Sequence, residues 1–151
     1  MLEVEDIEAL KAYVGKKLGH GEWLLVDQAM IDKFAEATGD HQWIHIDVER
    51  AKKEMPNGKT IAHGYLTLSL LPKLNQSIFR IKKRSRGVNY GSNKVRFTAP
   101  VPAGSRVRGS LTLKHIEPKP GGAQLTMEAQ VEVEGSDRPA LVAETLSMVY
   151  E

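Results

Sequence analysis

The stretch Ser105–Glu134, SRVRGSLTLKHIEPKPGGAQLTMEAQVEVE, sets the architecture. Val107, Gly109, Leu111 and Leu113 alternate with Arg106, Arg108, Ser110, Thr112 and Lys114. The alternation resumes with Leu125, Met127, Ala129, Val131 and Val133 against Thr126, Glu128, Gln130, Glu132 and Glu134. A period of two sends successive side chains to opposite faces, so both runs are predicted strands of an antiparallel sheet with one wet face. Between them, Glu117-Pro118-Lys119-Pro120-Gly121-Gly122 reads as a turn and not as a domain linker.

Outward from this pair, Val88–Phe97 and Ala140–Tyr150 are two further strand candidates. The second is the more apolar and is expected to be the more buried. The first half reads as helical. Ile7, Leu10, Val14 and Leu18 recur at spacings of three and four, which predicts an amphipathic helical extension over about residues 1–20. Glu22–Val26 suits a short strand. Asp27 is placed to cap a helix carrying Ile31, Phe34 and Ala35, and Gly39 to end it. Asp47 suits the cap of another short helix, stopped by Pro56-Asn57-Gly58. Ile61–Leu71 is apolar nearly all round, so a helix there must be buried, and Pro72 ends or kinks it. Helices first and strands after predict an α+β domain, a long buried helix on a curved antiparallel sheet.

The 151 residues suit one domain spanning 1–151, and 41% hydrophobic with 26% charged residues is ordinary globular composition. There is no cysteine, which excludes disulfides, zinc knuckles and cysteine nucleophiles. The apolar run Ile61–Leu71 is too short to span a bilayer. The acidic, amphipathic start MLEVEDIEALKAY has no signal-peptide pattern, and a cytoplasmic protein is expected. The net charge is +2, but its distribution is uneven: no Asp or Glu lies between Glu54 and Glu117. That stretch carries Arg84, Arg86, Lys94 and Arg96 among other basic residues. It suits an anionic partner, or equally a solvated face balanced by acids folded over from both ends. It has no repeated aromatic platform, so nucleic acid is not the expected partner.

Two stretches carry candidate chemistry. ATGDHQWIHIDVERA (Ala37–Ala51) holds Asp40 and His45 five residues apart, just past a helix end. A carboxylate and an imidazole so placed can serve one small molecule as proton acceptor and donor. The same residues also suit plainer roles, Asp40 bracing a turn and His45 hydrogen-bonded in the core. His41 is expected to face solvent. Zinc is disfavoured, because a clear third ligand is missing beside His41 and His45. Ile61-Ala62-His63-Gly64 opens the buried helix. Free amides at such a start, at the positive end of the helix dipole, can hold an oxygen gaining negative charge. Gly64 equally suits close helix–sheet packing, and His63 is either a polar contact or a first-turn residue.

ATGDHQWIHIDVERA followed by TIAHGYLTLSLLP resembles the MaoC-like, or hydratase 2, family of hotdog-fold enzymes. Asn93-Lys94-Val95-Arg96-Phe97, Pro100-Val101-Pro102 and Gly104-Ser105-Arg106-Val107 extend the resemblance over most of the chain. Gln42 and Trp43 stand where the wider family usually has Asn-Pro, and are similar to the NodN-like branch. Gln42 keeps an amide for a polar contact, whereas Trp43 removes a stiff proline and puts substrate length preference in question. The resemblance implies a hotdog fold, a homodimer with joined sheets, and reversible hydration of a trans-2-enoyl-CoA to the (R)-3-hydroxyacyl-CoA. It implies that Asp40 and His45 activate one water and that the Gly64 N–H holds the thioester oxygen. His63 and Gln42 are expected at the substrate. No metal or redox cofactor is implied. Coenzyme A belongs to the substrate, and its phosphates give Arg84, Arg86, Lys94 and Arg96 a purpose. The fold also hosts acyl-CoA thioesterases, and a non-catalytic acyl-CoA-binding role follows if Asp40 and His45 do not converge.

Overall fold

The structure, a computed structural model, describes residues 1–151. In chain order it runs β1 (Leu2–Val4), α1 (Ile7–Leu10), β2 (Lys17–His20), β3 (Leu24–Val26), α2 (Gln28–Thr38), α3 (Trp43–Ile46) and α4 (Val48–Glu54). It continues with α5 (Gly64–Ser69), α6 (Leu71–Asn75), β4 (Phe79–Ile81), β5 (Arg86–Phe97), β6 (Ser105–Lys119), β7 (Gly122–Val133) and β8 (Leu141–Tyr150). A six-stranded antiparallel sheet has the order β2-β6-β7-β8-β5, with β3 also paired to β6. Strands β1 and β4 form a small parallel pair.

The alternation in Ser105–Glu134 pairs as it predicts, Leu111 with Ala129 and Val107 with Val133. Val107, Leu111, Leu113, Leu125, Ala129 and Val131 are fully buried on one face. They join Ile31, Leu66, Leu71 and Leu74 from the helices in a single core. The turn is tighter than the sequence indicates. Strand β6 runs on through Pro118, which pairs with Ala123, and only Pro120 and Gly121 remain outside the strands. Gly121 has φ 77°, a region that favours glycine. Gly122 is held by space: a Cβ there would lie 1.9 Å from the Val149 carbonyl oxygen.

Two expectations are corrected. The N-terminal helix is confined to α1 and a 3-10 turn at Lys11–Tyr13, because Gly15 with φ 83° breaks it. Val14 is exposed, and Leu18 enters β2, so the first twenty residues join the sheet instead of forming a helical extension. The long central helix is two short ones. The first starts at Gly64, since Ile61 bridges to Pro102, and the second, α6, starts at Leu71 with Pro72 in its first turn. Strand β8 is more buried than β5, as expected, although its residues from Glu144 to Met148 are half-buried.

Asp6 caps α1, its carboxylate accepting from the Ala9 N–H at 2.9 Å and lying 3.3 Å from Lys83 Nζ. The backbone hydrogen bond first, then Lys83, hold its pKa below the ordinary 3.8. The folded protein therefore keeps Asp6 ionised where the unfolded chain begins to protonate. The stabilisation is complete above the ordinary carboxylate value and is lost as pH falls through the lower, folded one. Asp6→Ala is expected to lower stability at neutral pH, with the difference from wild type narrowing in acid. Urea titrations at several pH values measure this, and a difference that does not change with pH contradicts it.

Candidate active site

Asp27 accepts from the Met30 N–H at 2.9 Å and so starts α2. Gly39, with φ 80°, ends that helix and turns the chain into the Asp40–Gln42 loop. Asp40 is exposed, and its Oδ1 accepts from the Gln42 N–H at 3.3 Å. One turn on, α3 carries His45 inward to 7% exposure. Asp47 then accepts from the Arg50 N–H and starts α4.

The His45 ring has a defined tautomer. Its Nδ1 lies 2.7 Å from the Ile61 carbonyl oxygen. A carbonyl only accepts, so Nδ1 carries a proton, and in the neutral ring Nε2 carries the lone pair. His63, 3% exposed, places Nε2 at 3.0 Å from the main-chain carbonyl of Asp40, so its Nε2 donates. The two imidazoles stack with centroids 3.9 Å apart at 25°, and the Phe34 ring lies tilted against His63 with centroids 4.9 Å apart. His63 Nδ1 is buried without a partner. Atoms of the Asp40 carboxylate and of the His45 and His63 rings all lie within 4.8 Å of one another. One water making two hydrogen bonds bridges about that span.

A cavity of about 350 Å³ opens beside this cluster. Its wall includes His45, Ala62, Gly64, Thr67, Phe97 and Val101. The intrahelical bonds of α5 begin at the His63 carbonyl, which accepts from Leu66 and Thr67. The Gly64 amide thus has no intrahelical acceptor. Close packing operates at the same glycine: a Cβ on Gly64 would sit 3.0 Å from the Phe97 ring. His63 lies behind His45 and off the cavity wall, and Gln42 is exposed on the loop.

Asp40, His45 and His63 are the third-ligand set that the sequence alone did not reveal. The His45 and His63 rings stack face to face, and the His45 Nδ1 proton is committed to Ile61, which leaves Nε2 as the His45 nitrogen open to a ligand.

The acid-free segment divides in two. Lys82, Lys83, Arg106, Arg108 and Lys114 meet Glu5, Asp6, Glu134, Glu132 and Glu128, so acids from both ends do fold over part of it. Arg84, Arg86, Lys94 and Arg96 form no ion pair; Arg86 stacks on Tyr150 at 4.2 Å. Arg84 and Arg86 stand at the start of β5 or just before it, whereas Phe97 ends it at the cavity. At about 3.3 Å per residue the strand separates Arg86 from Phe97 by roughly 35 Å.

The sequence did not single out Gln28, Thr60 or Phe97, although all three touch this region. Gln28 reaches the His45 carbonyl at 2.7 Å and accepts from the Thr60 hydroxyl.

A curved antiparallel sheet packed on a short, half-buried helix, with a carboxylate and an imidazole meeting beside a cavity, defines a hotdog-fold protein. The chain belongs to the MaoC-like domain family, whose model matches residues 10–136. It is 48% identical over 147 residues to the 3-hydroxyacyl-thioester dehydratase Z of Mycobacterium tuberculosis, covering 97% of each chain. It is 48% identical over 139 residues to nodulation protein N of Rhizobium leguminosarum bv. viciae, covering 90% of this chain and 86% of that one. The fold is that of the R-hydratase PhaJ1 from Pseudomonas aeruginosa, with a TM-score of 0.70 at 20% identity over 91% of this chain and 82% of the other. The resemblance read from the motifs between Ala37 and Pro72 is thus borne out, as is the hotdog fold. No helix is long and apolar enough to cross a membrane.

Proposed function

We propose that the protein is an (R)-specific enoyl-CoA hydratase, adding water reversibly to a trans-2-enoyl-CoA. The observation that carries this reading is the convergence of Asp40 with His45, in its Nδ1–H form, beside the cavity that also reaches the Gly64 amide. The relative named 3-hydroxyacyl-thioester dehydratase supports it at 48% identity. Asp40 and His45 hold one water. Its oxygen bonds to C3 as a water proton passes to the pair, and the pair returns a proton to C2. The double bond is consumed, and the thioester oxygen gains enolate character that the Gly64 N–H stabilises. Coenzyme A enters and leaves with the acyl group, and no further cofactor takes part. Compartments that hold acyl-CoA thioesters include the cytoplasm, which we take as the site of action.

The active unit is a homodimer joined through β5. That strand is the sheet edge, and all of it but Val95 is exposed. Val88, Tyr90 and Phe97 are 50%, 66% and 47% exposed, an open edge of the kind proteins ordinarily cover. Antiparallel pairing about the middle of β5 sets Arg86 of the partner subunit opposite Phe97. Arg84 and Arg86 then serve the neighbouring site, which their own chain places out of reach, whereas Lys94 and Arg96 stand beside Phe97 near their own cavity.

The test follows alkene and thiol together on crotonyl-CoA. Enoyl absorbance is expected to fall with no free thiol released. Thiol release in step with substrate loss identifies a thioesterase, and tight binding without turnover identifies a carrier.

A further inference from the structure

The side chain of Gln28 uses every hydrogen-bonding group it has. Its Nε2 lies 2.7 Å from the main-chain carbonyl of His45 and 2.9 Å from Asp32 Oδ1, and its Oε1 accepts from the Thr60 hydroxyl. Two acceptors at one end and a hydroxyl at the other fix which way the amide faces. Thr60 is 2% exposed, and its own carbonyl accepts from the Ala103 N–H at 2.9 Å. One amide therefore spans α3 and the segment Thr60–Ile61, reinforcing the main-chain bond in which the Ile61 N–H donates to the Ile44 carbonyl at 3.0 Å. These two segments carry the donor and the acceptor of the hydrogen bond from His45 Nδ1 to Ile61.

We propose that Gln28 is a positioning residue for the hydration: by clamping Thr60–Ile61 against α3, it holds His45 in the Nδ1–H tautomer. The proposal rests on the hydratase reading for its kinetic consequence, though not for its structural one. A neutral imidazole has two tautomers, and here the Ile61 carbonyl selects between them. If Thr60–Ile61 drifts from α3, that bond lengthens and the proton is free to move to Nε2. His45 then presents a donor where the reaction needs a lone pair. A misplacement of about 1 Å away from the chemistry costs up to roughly 10²-fold. Gln28 does not itself line the cavity, so substrate binding is not what it governs.

The test compares wild type, Gln28→Ala, Thr60→Val and Thr60→Ser by ¹⁵N spectra of the histidine rings, with the His45→Gln spectrum assigning the His45 signals. Wild type is expected to show a protonated Nδ1 and an unprotonated Nε2 at His45. Gln28→Ala and Thr60→Val are expected to show a mixture of tautomers. Their kcat on crotonyl-CoA falls by about 10-fold with KM within about twofold, whereas Thr60→Ser, which keeps the hydroxyl, stays as wild type. A folded Gln28→Ala that keeps the wild-type tautomer and kcat overturns the proposal. If Gln28→Ala does not fold, Thr60→Val decides by the same two readings. Wild type that leaves crotonyl-CoA untouched defeats the hydratase reading instead, while the tautomer comparison still decides what Gln28 holds.

Discussion

Asp40→Asn and His45→Gln are each expected to lower kcat on crotonyl-CoA by about 10²–10⁴-fold, the usual cost of removing a positioned acid or base. The two act on one water, so the double variant is expected to lose little more than the worse single one. Asp40 is exposed and its side chain accepts only from the Gln42 N–H, a bond an asparagine oxygen still accepts. Asp40→Asn is therefore the cleaner of the pair, expected to fold and melt as wild type does. His45 is buried on α3, and glutamine there keeps an amide near the Ile61 carbonyl without supplying a base. Steady-state rates on variants verified as folded by circular dichroism measure both effects. Full activity in folded Asp40→Asn would sink the mechanism.

Reversing the free cations is expected to act on KM. Arg84→Glu with Arg86→Glu should raise KM for crotonyl-CoA by roughly 10²-fold, since a hydrogen bond to a charged group is worth about 1.5–3 kcal/mol. Contacts to a remote phosphate are equally strong in ground and transition states, so kcat is expected to change little. A crotonyl thioester lacking the nucleotide should show no such penalty. Added salt should narrow the difference, because exposed charges are screened over about 8 Å at physiological ionic strength. Since β5 separates Arg86 from its own cavity, the defect should be complemented in trans. A mixed dimer of the Asp40→Asn chain with the Arg84→Glu, Arg86→Glu chain should recover a wild-type KM at one of its two sites. The same KM penalty with both thioesters means that these residues form only a solvated face.

The strands were legible because half-burial writes itself as alternation. Val107 to Leu113 and Leu125 to Val133 show it, broken only where Ser110 and Thr126 are buried as well. Caps were legible for a local reason: Asp27, Gly39 and Asp47 act within three or four residues of themselves. Helix length was not. Ile61 looks helical by hydrophobicity, yet its carbonyl is committed to His45 and its backbone to Pro102, partners 16 and 41 residues away in sequence. Strand β5 reads as an ordinary strand, and nothing in its sequence marks it as the sheet edge. The site followed the same division. Asp40 and His45 stand close together in a recognisable motif, whereas Gln28 and Thr60 join them only through contacts 17 and 32 residues apart. His63 was visible in the motif, but its place behind His45 depends on the stacking of two rings that the fold brings together.

The central claim is that water adds to one face of an enoyl thioester held beside Asp40, His45 and Gly64. Chiral analysis of the product formed from crotonyl-CoA tests it most directly. The account predicts (R)-3-hydroxybutyryl-CoA as the hydration product, formed by wild type and almost not at all by Asp40→Asn. The (S) product, a racemate, or a product made equally well by Asp40→Asn would contradict it.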